Sequence, residues 1–319
     1  MSEFNTQIWQ GRGDAEEGAG PWRWHQVMRP WVPAEGGAVV LLGFNCDEGV
    51  RRNLGRIGAA AGPDALRSAL ANLPLHGVSK LRDAGNVGGG AADSQPGASL
   101  EASQAQFAVR VSDIIRGGSL PIGLGGGHEI AWASWCGLHA AVQGPDTPRR
   151  VGIVNFDAHF DLRAGAQATS GTPFRQIADA CAQHRYDFNY FCLGVSRYAN
   201  TRALFERAGA LGVHYLLDEQ LTPEALPEAR EKLANFMRPL DDIYLTICLD
   251  ALPAHLAPGV SAPAARGIGL DVLEPLLDLV LASGRVRVAD IAELNPRLDI
   301  DHRTARLGAR LVARIAAAR

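Results

Sequence analysis

Seven short apolar runs, separated by stretches of helical periodicity, constrain this chain more than any other feature. They are AVVLLGF (38–44), LPIGLGG (120–126), RVGIVNFDAH (150–159), FNYFCLGV (188–195), VHYLL (213–217), DIYLTICLD (242–250) and VRVADIAELN (286–295). Their apolar character is continuous rather than alternating, so strands built from them must be covered on both faces. Helical stretches near 63–73, 101–116, 129–142, 201–210, 223–237 and 270–283, with an Ala/Arg-rich one from about 302, supply the cover. The expected class is therefore α/β with a parallel sheet. Residues 1–36, rich in Trp, Gly and Pro, read as an irregular covering segment, and the Gly/Ala/Ser stretch 85–99 reads as a surface loop. No internal repeat or linker divides the remainder, so 37–319 is expected to form one catalytic domain.

Charge and cysteine usage narrow the function. A net charge of −3 gives no electrostatic footprint for nucleic acid or an anionic membrane. No apolar run approaches the roughly 20 residues that span a bilayer. The N-terminus has neither a basic nor an apolar leader region, so a cytoplasmic protein is expected. The five cysteines (46, 136, 181, 192 and 248) are scattered and odd in number, which does not describe a disulfide framework. A small-molecule partner is the remaining expectation, and a homo-oligomer is compatible with it.

In open α/β sheets, sites form outside the carboxyl ends of strands. Four strand ends carry chemistry: GFNCDEG (43–49), GLGGGHE (123–129), NFDAHFDLR (155–163) and CLD (248–250). Singly, a Gly-rich turn before a helix is commonplace, GGGHE does not match a dinucleotide fingerprint, and Cys248 with Asp250 reads as a core thiol plus a capping carboxylate. DAHFD is different. Along a continuing strand, residues two apart are about 6.6 Å apart on one face, so Asp157, His159 and Asp161 converge only if the chain curls into a loop. Two carboxylates and an imidazole there are costly to desolvate unless a cation is bound. Mixed carboxylate and imidazole ligands suit Mn²⁺, Zn²⁺, Ni²⁺ or Fe²⁺ better than Ca²⁺.

GGGHE, then DAHFD, then a strand ending in CLD and followed by APGVSAP, resembles the ureohydrolase superfamily of arginases, agmatinases and formimidoylglutamases. The resemblance runs from GFN at 43 to ELNP at 293–296. It implies a single three-layer α/β/α domain with a parallel eight-stranded sheet and two Mn²⁺ ions. It also implies one ion held by His128, Asp157 and Asp161 and the other by Asp157, His159 and Asp250. Cys248 falls where most relatives place a bridging Asp, and a thiolate is a softer ligand for Mn²⁺ than a carboxylate. Asp161 is the candidate for moving a proton to the leaving group.

Arginases and agmatinases hold guanidinium with a Glu after the APGVSAP turn, and counting forward from Pro263 that position is Val272. Ser170 and Phe174 occupy the candidate places of their proton-transfer histidine. Arg51, Arg52, Arg56, Arg163, Arg175 and Arg197 crowd the strand ends. Arg163 stands where arginases contact the substrate carboxylate through Asn, and guanidinium grips carboxylates bidentately. Ser170, Arg163 and Arg197 are thus expected to meet a small anionic substrate. GFNxDxGVRRNxGRxGAxxGP, SGTPFRQ, GVSRxxNT and APGVSAPAA together are most similar to formimidoylglutamases, which implies metal-dependent hydrolysis of N-formimidoyl-L-glutamate to L-glutamate and formamide, a step of histidine degradation. The alternatives are a ureohydrolase for an acidic guanidino compound and a metal-poor, non-enzymatic binding module. Cys46 closes the first run on the same edge of the sheet as Cys248 and is the candidate redox partner, the competing reading being a small apolar filler.

Overall fold

The computed structural model describes residues 4–319 except 15, 17, 19–21, 34, 79, 89–98 and 145–147. All seven apolar runs form strands: β2 (Val39–Phe44), β4 (Leu120–Leu124), β5 (Val151–Phe156), β6 (Asn189–Val195), β7 (His214–Leu217), β8 (Asp242–Cys248) and β9 (Val286–Ala292). Two further strands, β1 (Arg29–Pro30) and β3 (Leu81–Val87), bring the sheet to nine rather than eight. The order is β1-β3-β2-β4-β9-β8-β5-β6-β7, and every neighbouring pair is parallel.

β3 lacks an apolar run because its burial alternates and one inward position is charged. Asp83 is buried against Arg67, whose Nη2 lies 2.9 Å away, and it also accepts from Trp9 Nε1 at 2.8 Å. A paired, hydrogen-bonded charge is tolerable inside, but its partners lie far away in sequence. Residues 85–87 therefore belong to a strand rather than to a surface loop, and 89–98 lie outside the described residues. Within 1–36, Trp24–Val27 forms a short helix, α1, and Trp9, Trp24 and Met28 enter the core.

The remaining helices are α2 (Glu48–Arg52), α3 (Gly62–Ala71), α4 (Leu100–Arg116), α5 (Ile130–Val142), α6 (Pro173–His184), α7 (Arg202–Ala210), α8 (Leu226–Met237), α9 (Leu270–Ala282) and α10 (Arg303–Ala317). Side chains alternate across each strand, so β2 sends Val39 and Leu41 to one core and Val40 and Leu42 to the other. The first core is closed by α3, α8, α9 and α10, and the second by α4, α5, α6 and α7. The result is a three-layer α/β/α domain. No helix among the described residues is long and apolar enough to cross a membrane.

Successive strands β4 and β5 are separated in the sheet by β9 and β8. Such a break in strand order opens a crevice at the carboxyl edge. All the strand-end motifs from GGGHE onward discharge into it.

Candidate metal centre

The triple glycine after β4 threads a narrow gap. A Cβ on Gly126 would stand 1.8 Å from the Cys46 carbonyl oxygen, and one on Gly125 would stand 2.6 Å from that of Ile291. Only glycine passes there, and it delivers His128 to the centre of the edge. The DAHFD segment curls as its ligand spacing demands: Asp161 takes a left-handed φ of 48°. Asp157 Oδ1 accepts from the His159 amide at 2.7 Å and Oδ2 from Asn155 Nδ2 at 3.1 Å, which fixes the carboxylate.

His128 Nδ1 lies 2.9 Å from Asp157 Oδ2 and 3.0 Å from Asp161 Oδ2. His159 Nδ1 lies 3.2 Å from Asp250 Oδ2 and 3.5 Å from Asp157 Oδ1. Two donor sets emerge, His128–Asp157–Cys248 and Asp157–His159–Asp250, each with its atoms within 4.8 Å of one another. Asp157 belongs to both, and Cys248 takes its place in the first.

The residues fit a pair of divalent cations. His128 Nδ1 and Asp250 Oδ1 are buried and lack a hydrogen-bond partner. Burial alone depresses both imidazoles, yet His128 and His159 are raised well above the ordinary histidine range, chiefly by Asp157 and Asp161 around the former and Asp250 and Asp157 around the latter. Burial and the charge of Asp157 lift the Asp161 carboxyl to about 6. Asp157 itself stays low, since the imidazoles of His128 and His159 beside it outweigh its burial. Protons on imidazole thus supply the positive charge that a buried carboxylate cluster requires, and metal ions replace such protons.

Burial, then the charges of Asp157, Asp250 and Glu293, push the Cys248 thiol well above its usual range. Its thiolate depends on a cation, and a hard cation suits it poorly. Cys248→Asp should therefore tighten Mn²⁺ binding about tenfold, or about 1.4 kcal/mol, as read by equilibrium dialysis. Equal or weaker affinity would remove the hardness mismatch from the account.

Above these donors lies a cavity of about 440 Å³, with His128, His159, Asp161, Cys248 and Asp250 at its floor. Arg163, Ser170, Asn53, Arg56, Ser261 and Glu293 also line it. Arg163 has no side-chain partner among the described residues, whereas Arg56 spends Nε and Nη2 on the carbonyls of Ser261 and Val260, both at 2.8 Å. Ser170 Oγ accepts from Asn53 Nδ2 at 3.2 Å.

The other arginines are engaged elsewhere. Arg51 and Arg52 pair with Glu48, Arg52 also with Glu101, and Arg175 with Asp179. Arg197 is half exposed, pairs with Glu219 at 3.0 Å, and is not among the residues lining the cavity. Phe174 is buried edge-on against His128, with ring centroids 5.4 Å apart. Cys46 and Cys248 are both free thiols. Their strands β2 and β8 stand three places apart in the sheet, and Cys46 packs with Phe44 and Leu42 in the second core.

Counting along the chain missed one residue. Val272 is buried in α9 and does not reach the cavity. A carboxylate does line the cavity, that of Glu293, just past β9, with a left-handed φ of 72° and Oε1 accepting from the His128 amide at 2.9 Å. Burial, then Glu129 and Asp250, raise its carboxyl well above the usual range. The visible signal was an acidic residue closing an apolar run, in IAELNP.

The fold belongs to a recognised class: the family model of the arginase family matches residues 37–318, and the chain belongs to that family. Its similarity to individual members points further. The chain is 53% identical over 318 residues to the formimidoylglutamase of Ralstonia nicotianae, covering 98% of this chain and 96% of that protein. It is 51% identical to that of Aeromonas hydrophila, covering 98% of each. The structure resembles Trypanosoma cruzi formiminoglutamase with Mn²⁺ at a TM-score of 0.79 and 23% identity, covering 93% of this chain and 97% of that one.

Proposed function

We infer that the chain hydrolyses N-formimidoyl-L-glutamate to L-glutamate and formamide. The observation that carries this reading is one cavity with a metal-donor floor, a carboxylate at Glu293 and an unpaired guanidinium at Arg163. A substrate with an amidine at one end and carboxylates at the other matches those three features. The full-length similarity to formimidoylglutamases supports the same substrate.

His128, Asp157, Asp161 and Cys248 would hold one Mn²⁺, and Asp157, His159 and Asp250 the other. When bound, the two cations supply Lewis acidity that brings the pKa of water toward neutrality. Arg163 grips a substrate carboxylate through two N–H groups. Glu293 accepts an amidine N–H and holds the formimidoyl carbon over the floor. Asp161, at the cavity floor beside His128, is the group placed to take the proton of the attacking water and return it to the leaving nitrogen. Water oxygen bonds to the formimidoyl carbon, one water proton passes to the imino nitrogen, the bond from that carbon to the glutamate nitrogen breaks, and the other proton goes by way of Asp161 to the glutamate nitrogen. Glutamate and formamide leave.

The test is the Mn²⁺-loaded protein with N-formimidoyl-L-glutamate, L-arginine and 4-guanidinobutyrate, product by product. Glutamate and formamide should appear in equal amounts from the first alone. Turnover of the acidic guanidino compound only would select another ureohydrolase activity, and inability to bind metal would select a binding module.

A further inference from the structure

A line of hydrogen bonds runs behind the DAHFD curl. Its members, Asn155 on β5 and Tyr190 on β6, are both fully buried, and neither lines the cavity. Tyr190 is the register partner of Ile153, so it lies diagonal to Asn155 on the same face of the sheet. Asn155 Nδ2 donates to Asp157 Oδ2 at 3.1 Å and to Tyr190 Oη at 2.9 Å. Tyr190 Oη in turn donates to the Phe160 carbonyl at 3.2 Å. Two residues further along β6, Cys192 Sγ donates to the His159 carbonyl at 3.3 Å. Strand β6 thus holds two successive carbonyls of the curl, and the second immediately precedes Asp161 with its left-handed φ. Asn155 Oδ1 is buried and has no partner. An orphaned buried amide oxygen is costly, so what the fold uses here is the pair of amide protons.

We propose that Asn155 and Tyr190 are positioning residues, which set the Asp157 and Asp161 carboxylates at the mutual placement a divalent cation requires. This rests on the metal-centre reading above. An ionised carboxylate only accepts, so Asn155 must turn its amide protons to Asp157, and the second of them goes to Tyr190 Oη. A phenol has one proton. With Asn155 donating to its oxygen, Tyr190 spends that proton on Phe160. One end of the line fixes a carboxylate directly, and the other fixes the peptide that leads into Asp161. The two carboxylates lie 2.9 and 3.0 Å from His128 Nδ1, so their relative placement decides whether they can share one cation with it. Asn200 secures the same curl independently, accepting from the Phe160 amide at 3.0 Å and donating to the Ala158 carbonyl at 2.9 Å. The curl therefore stays formed when the Tyr190 hydroxyl is removed, and only its fine placement is lost. The Tyr190 ring stacks on Phe174 with centroids 4.4 Å apart, a contact that phenylalanine keeps.

The experiment measures Mn²⁺ affinity of the full chain by dialysis, alongside the thermal midpoint of the metal-free protein. Tyr190→Phe should weaken Mn²⁺ binding by about 10- to 100-fold, the range for groups that orient metal ligands. Asn155→Leu, close in volume but without amide protons, should do the same. The double variant should lose less than the product of the two single losses, because both act through one line. Ile177→Val removes a methylene from the same core, and it should lower the thermal midpoint while leaving Mn²⁺ affinity parental. Parental affinity in Tyr190→Phe, fully multiplicative losses in the double variant, or an equal loss in Ile177→Val would overturn the proposal. A crystal structure of the unsubstituted chain loaded with Mn²⁺ tests it without any variant. The Asn155–Asp157 and Tyr190–Phe160 hydrogen bonds should both persist with the ions bound, and loss of either would overturn the proposal even if the variants do not fold. Failure of the unsubstituted chain to bind Mn²⁺ would defeat the metal centre itself, and this proposal with it.

Discussion

Asp157→Ala should lose both metal ions and lower kcat/KM by at least about 10⁴, equivalent to about 5 kcal/mol of transition-state stabilisation. His128→Ala or Asp250→Ala each removes a ligand from one donor set, whereas Asp157 belongs to both. Its carboxylate is fully buried and touches both imidazoles, so its removal leaves two histidines facing a gap. Metal content by atomic absorption separates the cases, with parental protein near two ions, the His128 and Asp250 variants intermediate, and Asp157→Ala near none. Asp157→Asn, close in volume, controls for packing, and circular dichroism shows whether each variant folds. Full metal occupancy in Asp157→Ala would falsify the shared-donor assignment.

The second large effect is on recognition. Arg163→Ala should raise KM by about 30- to 160-fold, the loss expected of about 2–3 kcal/mol of charge-assisted hydrogen bonding. Bound metal should be unchanged, since Arg163 lines the cavity without joining either donor set. Arg163→Lys should recover part of the loss, because lysine restores the charge but not the planar fork. A KM that stays put in the alanine variant would remove Arg163 from substrate binding.

Much of this site is legible in the sequence because its donors are local. Asp157, His159 and Asp161 come from one five-residue stretch, and His128, Cys248 and Asp250 each follow an apolar run. Period and position alone bring them to one edge of a parallel sheet. The residues that escaped are those placed by long-range pairing. Glu293 reaches the cavity because β9 lies between β4 and β8, an order that counting along the chain from Pro263 does not contain. Arg163 was legible, but that Arg197 would stand outside the cavity lining and pair with Glu219 was not. β3 was hidden because Asp83 is made tolerable by Arg67 and Trp9, so a strand with charged and glycine positions sits where an apolar one was sought.

The sheet also ends quietly on both sides. A long bare outer strand invites another chain to add to it. Here β1 is two residues long and includes Pro30, which has no amide hydrogen to offer a newcomer, and β7 is four residues long. The seven-residue β3, with Asp83 and its ion pair in the interior, is shielded by that stub and by the Trp31 amide, which donates to the Asp83 carbonyl at 3.0 Å. Arg29, Pro30 and Trp31 therefore act as a selvedge, hemming the fabric so that its threads are not caught by the next piece of cloth.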